Sequence, residues 1–437
     1  MQIKLLPLFV LYQLFQIICL PFLCVYLIIR RIKGKQTIGN LKERLGFIPK
    51  TLQSKKIIWL HAVSVGEILS IQNLIDQIKQ KIPNSICYVT TGTIAGKEIA
   101  KKSLNADFIS FLPYDFLPTI FLAFKRIKPT SIIIVEAETW PNFLMLSKFF
   151  KIPSYLINAR ISQRSKDRYQ KLKFVFKQLF SIFKIIFVQS KTDKINFQNL
   201  GISPEKLQIL GNIKTFNVLA KKEKLVKEKP QTYSYQPQFK TLIVGSIHPG
   251  ELDIYLNLFK NLKTAFPDLK LILAPRHFHW KNELVSKVEN SSFKFFLWDE
   301  AIKEDFSFIT NEMFKTNDIL LVCKLGELFK LYQLCNIFYL GGTFVPVGGH
   351  NLLEPAVWAK TSIIGSFYQN TKDIADKLEK EHGLIKVKNE QELLENSKKL
   401  LQNNQLLNEM NKNSYQWLIK ESQVVENNLE NLIKNLI

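Results

Sequence analysis

Short runs of β-branched and aromatic residues alternate with longer stretches of helical spacing along most of the chain. The runs at 56–62, 86–93, 108–115, 131–137, 154–160, 184–190 and 207–213 are apolar over most of their length. Continuous apolarity, rather than strict alternation, marks a strand covered on both faces, as in a parallel sheet flanked by helices. Between most of these runs lie 9 to 18 residues of helical spacing, the crossover that parallel strands require. At 217–238 the pattern stops: the segment is charged, holds two prolines and has no apolar period, which reads as an interdomain linker. The alternation restarts at 241–247 and continues through 269–276, 293–299, 318–324, 336–342, 361–366 and 383–387. The pattern predicts two α/β domains of doubly wound, Rossmann-like type with a ligand cleft between the carboxyl ends of their sheets. The boundaries are 36–216 for the first domain, 217–239 for the linker and 240–437 for the second, whose tail from about Glu390 is polar and helical and is expected to pack outside.

The first 35 residues are different in kind. Residues 5–29 carry no charge and are interrupted only by Gln13, Gln16 and two prolines. A helix of that length, at about 1.5 Å per residue, can cross the roughly 30 Å hydrocarbon core, with Tyr12 and Tyr26 near the interfaces. Arg30, Arg31, Lys33 and Lys35 follow it, against one lysine before. The positive-inside rule therefore expects an inner-membrane anchor with the globular body on the cytoplasmic side. A cleaved signal would be shorter and end in a small-x-small site. A helix lying in the interface is the other alternative, since the prolines and glutamines weaken a clean span.

Charge narrows the partner without choosing it. Sixty Lys and Arg against 37 Asp and Glu leave +23, which calls for nucleic acid, an anionic lipid surface or a phosphorylated substrate. The five cysteines form no CxxC pair and no zinc-type spacing, so buried free thiols in a reducing compartment are expected. No DxD-like pair sits in a suitable loop, and His61, His248, His277, His279 and His350 lack metal-ligand spacing. Neither a metal nor another cofactor is expected, and His350 reads as a lining or capping residue.

The residues able to do chemistry gather where strands end. Glu67 follows the first strand and opens a helix after Ser64-Val65-Gly66; there it can act as a general base or simply favour the helix dipole. Glu136 and Glu138 stand at the end of the 131–137 run, ahead of a Trp140-Pro141-Asn142 helix start. Two carboxylates together are costly unless they hold hydroxyls, cations or each other; ordinary capping is the alternative. Arg160, Arg164, Lys166 and Arg168 form either a cationic mouth or a solvated face. Lys214 closes the first domain. In the second, 245–251 gives a Gly-Ser turn before a helix whose amides can hold an anion, and Arg276 ends the next strand. Gly341-Gly342 and Gly348-Gly349 precede a helix expected near Asn351, with Glu354 in its first turn placed to accept the hydroxyls of a ribose.

Taken together these runs resemble the lipopolysaccharide 3-deoxy-D-manno-octulosonic acid (Kdo) transferases. The family's HxxSVGE is matched at 61–67, its ETELWPN by EAETWPN at 136–142, NARxSxRS at 158–165 and GNxK at 211–214. GSIHPGE at 245–251 and GGTFVPVGGHNLLEPA at 341–356 are close to further family motifs, and APRH matches at 274–277. The resemblance implies a GT-B fold and metal-independent transfer of Kdo from CMP-Kdo to a phosphorylated lipid A precursor, lipid IVA. It makes Glu67 the catalytic base and Glu138 and Lys214 the residues that stabilise the transition state. It places CMP on Pro275 and Arg276, on Lys324, Leu325, Gly326 and Glu327, and on Asn351, Leu352, Leu353 and Glu354. Such an acceptor lies in a membrane and carries phosphates, so the anchor and the charge share one explanation. Thr215, Asn217 and the 277–280 sequence depart from the family pattern and put neighbouring contacts in doubt. Other readings are a GT-B enzyme using a UDP-sugar, a UDP-sugar epimerase with no need of an anchor, a basic nucleic-acid-binding protein, whose aromatics would be interleaved with its basic residues, and an inactive scaffold.

Overall fold

The computed structural model describes residues 6–32, 39–51, 56–136, 138–161, 163–228, 230, 239–302 and 313–436. They form two compact units, Met1–Asn217 with Ser422–Ile437, and Val218–Glu421.

Unit 1 is built on β1 (Ile57–His61), β2 (Ile86–Thr91), β3 (Phe108–Phe111), β4 (Ser131–Val135), β5 (Ser154–Ala159), β6 (Ile185–Val188) and β7 (Leu207–Ile209), ordered β3-β2-β1-β4-β5-β6-β7. Every pairing is parallel. Winding outward from β1 in both directions leaves β1 beside β4, and the loops leaving their carboxyl ends diverge to opposite faces, opening a crevice. Both faces of the sheet are covered, which is why the strands read as unbroken apolar runs. On one face Trp59 is fully buried edge-on against Phe124 and Phe143, at 5.1 and 4.6 Å. On the other, Ile58 and Leu60 share a core with Ile68 and Ile75 and with Val425, Leu429 and Ile433 of the last helix, Asn404–Leu436.

Unit 2 repeats the plan with β8 (Thr241–Ile247), β9 (Lys270–Pro275), β10 (Phe295–Asp299), β11 (Ile319–Cys323), β12 (Ile337–Leu340), β13 (Thr361–Ile364) and β14 (Leu384–Lys386), all parallel and ordered β10-β11-β9-β8-β12-β13-β14. Here the reversal lies between β8 and β12.

Two boundaries differ from the sequence reading. The expected linker begins inside a helix, Ile213–Glu228, and the units divide within it at Asn217/Val218. Val218, Leu219, Leu225 and Val226 pack on the unit 2 core. Lys222 lays its stem between Trp358 and Tyr415, with Nζ 5.1 and 4.6 Å from the rings, and donates to the Val357 carbonyl at 2.7 Å. Lysines that bury their stems this way hide an apolar stripe from a charge-based reading. Residues 231–238, the rest of that segment, lie outside the described residues. The tail, expected to stay with the second domain, instead ends in unit 1, because Val425, Leu429 and Ile433 cover a sheet face there, and Tyr155 donates to the Asn435 carbonyl at 2.7 Å.

The amino-terminal helix, Leu6–Ile32, belongs to unit 1. Tyr12, expected near a membrane interface, donates its hydroxyl to Asp115 Oδ2 at 2.9 Å. Gln13 donates to Asn142 Oδ1 at 2.5 Å, and Gln16 to the Asp115 carbonyl at 2.7 Å. Among the described residues, no helix is long and apolar enough to cross a membrane. The Tyr26 side chain lies outside the described residues.

Candidate active site

Two constellations form, one at each topological reversal. In unit 1, β1 ends at His61 and the chain turns through Val63 and Ser64 into the helix Val65–Ser70. Ser64 caps that helix, its Oγ accepting from the Glu67 amide at 3.3 Å. Glu67 reaches back, its Oε1 accepting from the Ser64 hydroxyl at 2.7 Å and its Oε2 from the Val63 amide at 2.8 Å. This reciprocal capping box fixes the carboxylate at the mouth of the crevice, 8% exposed. A Cβ on Gly66 would meet no atom within 4 Å, so the space beside Glu67 is open.

On the neighbouring strand, β4 ends at Val135 and Glu136 follows it, its φ of 60° in the left-handed region, unusual for a residue with a long side chain. Lys214 Nζ is 3.2 Å from Glu136 Oε1, and Asn158, also left-handed at φ 55°, donates to the same oxygen at 3.5 Å. Asn158 Oδ1 accepts from the Ile213 amide at 3.3 Å, which binds the start of the Lys214 helix to the end of β5. Burial pushes the Glu67 carboxyl above its ordinary range; the Val63 and Ser64 hydrogen bonds oppose the rise, and the charge of Glu136 adds to it. Burial raises Glu138 as well, followed by the charges of Glu67 and Glu136. Three carboxylates therefore share one field, and Lys214 pairs with one of them, Glu136. The resemblance gives Lys214 and Glu138 one role without pairing them; the ion pair of Lys214 is made with Glu136, to which it assigns none. Asn158, fully buried, was also missed. Its signal was a polar residue at the end of an apolar strand.

Of the expected cationic mouth, Arg160 and Arg168 are exposed, and the side chains of Arg164 and Lys166 lie outside the described residues. The departures from the family pattern are accommodated. Thr215 is buried and donates to the Asn212 carbonyl at 2.8 Å. Asn217 donates to the carbonyls of Leu69 and Ser70, at 3.1 and 2.6 Å, and accepts from Asn73 at 2.9 Å. An aspartate could not make the two donations.

In unit 2 the turn after β8 leads to Glu251, which is fully buried. Its carboxylate accepts the amides of His248 at 3.0 Å, Gly342 at 2.7 Å, and Thr343 and Phe344 at 3.0 Å each. The glycine pairs were expected to let a ligand approach the backbone closely; here the Gly342, Thr343 and Phe344 amides are taken by an internal carboxylate. Gly341 still needs to be glycine, because a Cβ there would lie 2.3 Å from the Ser246 carbonyl oxygen.

The helix expected near Asn351 is the short Leu353–Val357, and the Asn351 side chain accepts its Leu353 amide at 2.9 Å. The side chains of Leu352 and Leu353 are buried in the core. Glu354 is partly buried, pushed up by burial and pulled down by Lys221, whose Nζ lies 3.9 Å from Oε1 and 3.8 Å from the Phe329 ring centroid. Lys221, read as linker, thus stands at the proposed ribose contact.

Pro275 closes β9 in the core, and Arg276 follows exposed, its amide on the Ile247 carbonyl at 3.0 Å. His248 and His350 face each other with Nε2 atoms 2.8 Å apart and near-parallel rings, so one ring donates and the other accepts. Burial, then Arg276, pushes His350 down to about 4, leaving the imidazole neutral at pH 7. Lys324 turns inward to donate to the Ile302 carbonyl at 2.7 Å, and Glu327 holds Lys330 at 2.9 Å. Between them Leu325 is 79% exposed and Gly326, at φ 86°, has open space beside it. Among the described residues, no group of three or more His, Cys, Asp or Glu is arranged to hold a metal ion.

Residues 39–217 match the family model described as 3-deoxy-D-manno-octulosonic-acid transferase (kdotransferase). A 3-deoxy-D-manno-octulosonic acid transferase of Aquifex aeolicus is 32% identical over 360 residues, spanning 81% of this chain and 89% of the relative. One from Haemophilus influenzae is 29% identical over 420 residues, spanning 96% of each. The chain also matches a bifunctional glycosyltransferase/methyltransferase of Fusobacterium nucleatum at 29% identity, covering 61% of that longer protein. Among solved structures, UDP-GlcNAc 2-epimerase from Neisseria meningitidis superposes with a TM-score of 0.61 at 13% identity, over 87% of this chain and 100% of that one. A glycosyltransferase from Rickettsia africae gives 0.54 at 13% identity, over 88% and 99%. These structural likenesses are of fold alone.

Proposed function

Because this chain belongs to the 3-deoxy-D-manno-octulosonic acid (Kdo) transferase family, we propose that it transfers Kdo from CMP-Kdo to a hydroxyl of a phosphorylated lipid A precursor, lipid IVA, in lipopolysaccharide core synthesis. The observation that carries this reading is the convergence of Glu67, Glu136, Glu138 and Lys214 at the β1/β4 reversal. In the reaction an acceptor hydroxyl oxygen forms a bond to the anomeric carbon while the bond from that carbon to the CMP phosphate oxygen breaks. CMP leaves with the electron pair, and the hydroxyl proton passes to Glu67. A carboxylate raised by burial is a stronger base than one in water, which suits proton abstraction near neutral pH. The open space beside Gly66 lets the acceptor reach it. Lys214 and Glu138 stabilise the oxocarbenium-like transition state, with Glu136 holding Lys214 in place.

On the donor side Arg276 meets the departing phosphate, Glu354 accepts the ribose hydroxyls, and the exposed Leu325-Gly326 turn lies against the nucleotide. The body sits on the cytoplasmic side of the inner membrane, attached through the first helix, and its positive charge complements anionic lipid and acceptor phosphates. Incubation of the purified full-length chain with CMP-Kdo and a tetra-acylated, phosphorylated lipid A precursor tests the assignment. Mass spectrometry is expected to show the precursor heavier by one or more Kdo units, with one CMP released per unit. Transfer from a UDP-sugar and none from CMP-Kdo would overturn it.

A further inference from the structure

The amino-terminal helix is fastened to unit 1 by its own polar stripe. Phe9, Tyr12, Gln13, Gln16 and Cys19 recur at helical spacing and are the half-covered positions between Phe9 and Leu20. The seat they meet is part of the core. Asp115 is 7% exposed and accepts the amides of Asn142 at 3.0 Å and Phe143 at 2.9 Å, capping the first turn of the helix Pro141–Phe149. Asn142, with no exposed surface, donates its side-chain amide to the Asp115 carbonyl and to Gln16 Oε1, the latter at 3.0 Å. Gln16 returns a hydrogen bond to the Asp115 carbonyl at 2.7 Å, and Gln13 and Tyr12 complete the network. Among the described side chains the rest of the circumference is apolar and bare: Leu11, Leu14, Phe15, Ile17, Ile18 and Phe22 lie outward, Phe22 at 75% and Ile17 at 67%.

This arrangement is incompatible with a helix upright in a bilayer. The uncharged stretch 5–29 is centred on Ile17, so its midpoint falls next to the seat. Crossing the membrane with the seat intact would carry Asp115 and the start of the helix Pro141–Phe149 toward the middle of the hydrocarbon. Crossing with the seat broken would leave a hydroxyl and two amides among acyl chains, where nothing can replace their partners. Lying flat avoids both losses, because the polar stripe stays on the protein and the apolar arc faces lipid at the depth of the headgroup–acyl boundary. Arg30, Arg31, Lys33 and Lys35 follow in sequence, with Lys4 before, so cations flank the apolar stretch at both ends and complement anionic headgroups.

We propose that the helix Leu6–Ile32 lies in the plane of the membrane interface, held to unit 1 through Tyr12, Gln13 and Gln16, with one leaflet of anionic lipid as the partner of its apolar arc. The inference rests on the membrane-attachment reading above and specifies its geometry. Two measurements on the full-length chain test it. In inverted inner-membrane vesicles, where the body faces the outside, a protease is expected to remove an amino-terminal epitope tag without detergent. In vesicles of phosphatidylethanolamine and phosphatidylglycerol, Phe15→Trp, an exposed position, is expected to gain fluorescence over wild type. That signal should be quenched at least about twofold more by lipid brominated near the headgroup than near the chain end. A protected tag with deeper quenching dominant would overturn the in-plane geometry while leaving membrane attachment standing. Absence of both vesicle association and quenching would overturn the attachment reading and this inference with it.

Discussion

Replacing Glu67 by glutamine separates the two roles this side chain can have. As a helix cap, Glu67 accepts one hydrogen bond from the Val63 amide and one from the Ser64 hydroxyl. Glutamine keeps a carbonyl oxygen for Val63 and can donate to Ser64 Oγ instead, and capping boxes accept either residue. Glu67→Gln is therefore expected to cost the fold less than about 1 kcal/mol. Glu67→Ala removes both contacts and leaves the Val63 amide unpaired, a loss of about 1–2 kcal/mol. In a unit of this size each kcal/mol lowers the melting temperature by about 2–4 °C. As a general base, by contrast, the carboxylate contributes about 10²–10⁴-fold to the rate, equivalent to about 2.7–5.4 kcal/mol in the barrier. Both variants should then lose activity to the same extent while differing in melting temperature, with CMP affinity near wild type in each. The assay is single-turnover Kdo transfer from CMP-Kdo, alongside calorimetric CMP titration and thermal unfolding. The wild-type rate should also fall with acid through a pKa above that of an ordinary glutamate, because Glu67 must be unprotonated to act and burial raises it. A glutamine variant keeping more than about a tenth of the wild-type rate would show that Glu67 is only a cap.

Three further outcomes follow from the same contacts. Glu354→Ala is expected to weaken CMP about 10- to 100-fold and to abolish discrimination against deoxy-CMP, read by calorimetry; a variant that still prefers ribose would leave Glu354 as a helix residue paired with Lys221. Glu251→Ala strands four backbone amides, three of them in buried hydrogen bonds, and should destabilise unit 2 by about 3 kcal/mol or more, so that a separate, earlier transition appears in calorimetry; coincident unfolding at the wild-type temperature would refute the role of Glu251 in holding the loop. Burial raises Asp115 from 3.8 to about 7 in the folded chain. The native state therefore binds the proton more tightly than the unfolded one, and this group's contribution to stability declines as pH rises across that window; Asp115→Asn should flatten the slope of denaturation midpoint against pH, and an unchanged slope would assign it to other groups.

The strands and the chemistry at their ends were legible because both are local. A parallel strand covered on two faces must be apolar at nearly every position, and all fourteen runs read this way are strands. Glu67, Glu136, Lys214 and Arg276 stand where apolar runs stop, which in a doubly wound sheet is where ligands bind. The helix over the supposed linker was less legible, because its lysines bury their stems in unit 2 and their charge masks the stripe beneath.

Pairing across long stretches of chain was decided only by the fold. Glu251 lies 91 residues from Gly342, and no local pattern says that its carboxylate, rather than a ligand, takes the loop amides. Lys214 chooses Glu136 over Glu138 because the left-handed turn at the end of β4 and Asn158 on β5 meet there. Tyr12 and Asp115 are 103 residues apart. From the chain alone, the two glutamines of the first helix are flaws in an otherwise apolar span; beside Asp115 and Asn142 they are its fastening. Sequence periodicity reports which side of an element is apolar, since that is a property of neighbours along the chain. Which partner satisfies a given polar group depends on where distant segments are brought, and a buried donor or acceptor without one is costly enough that the tertiary structure has the final word.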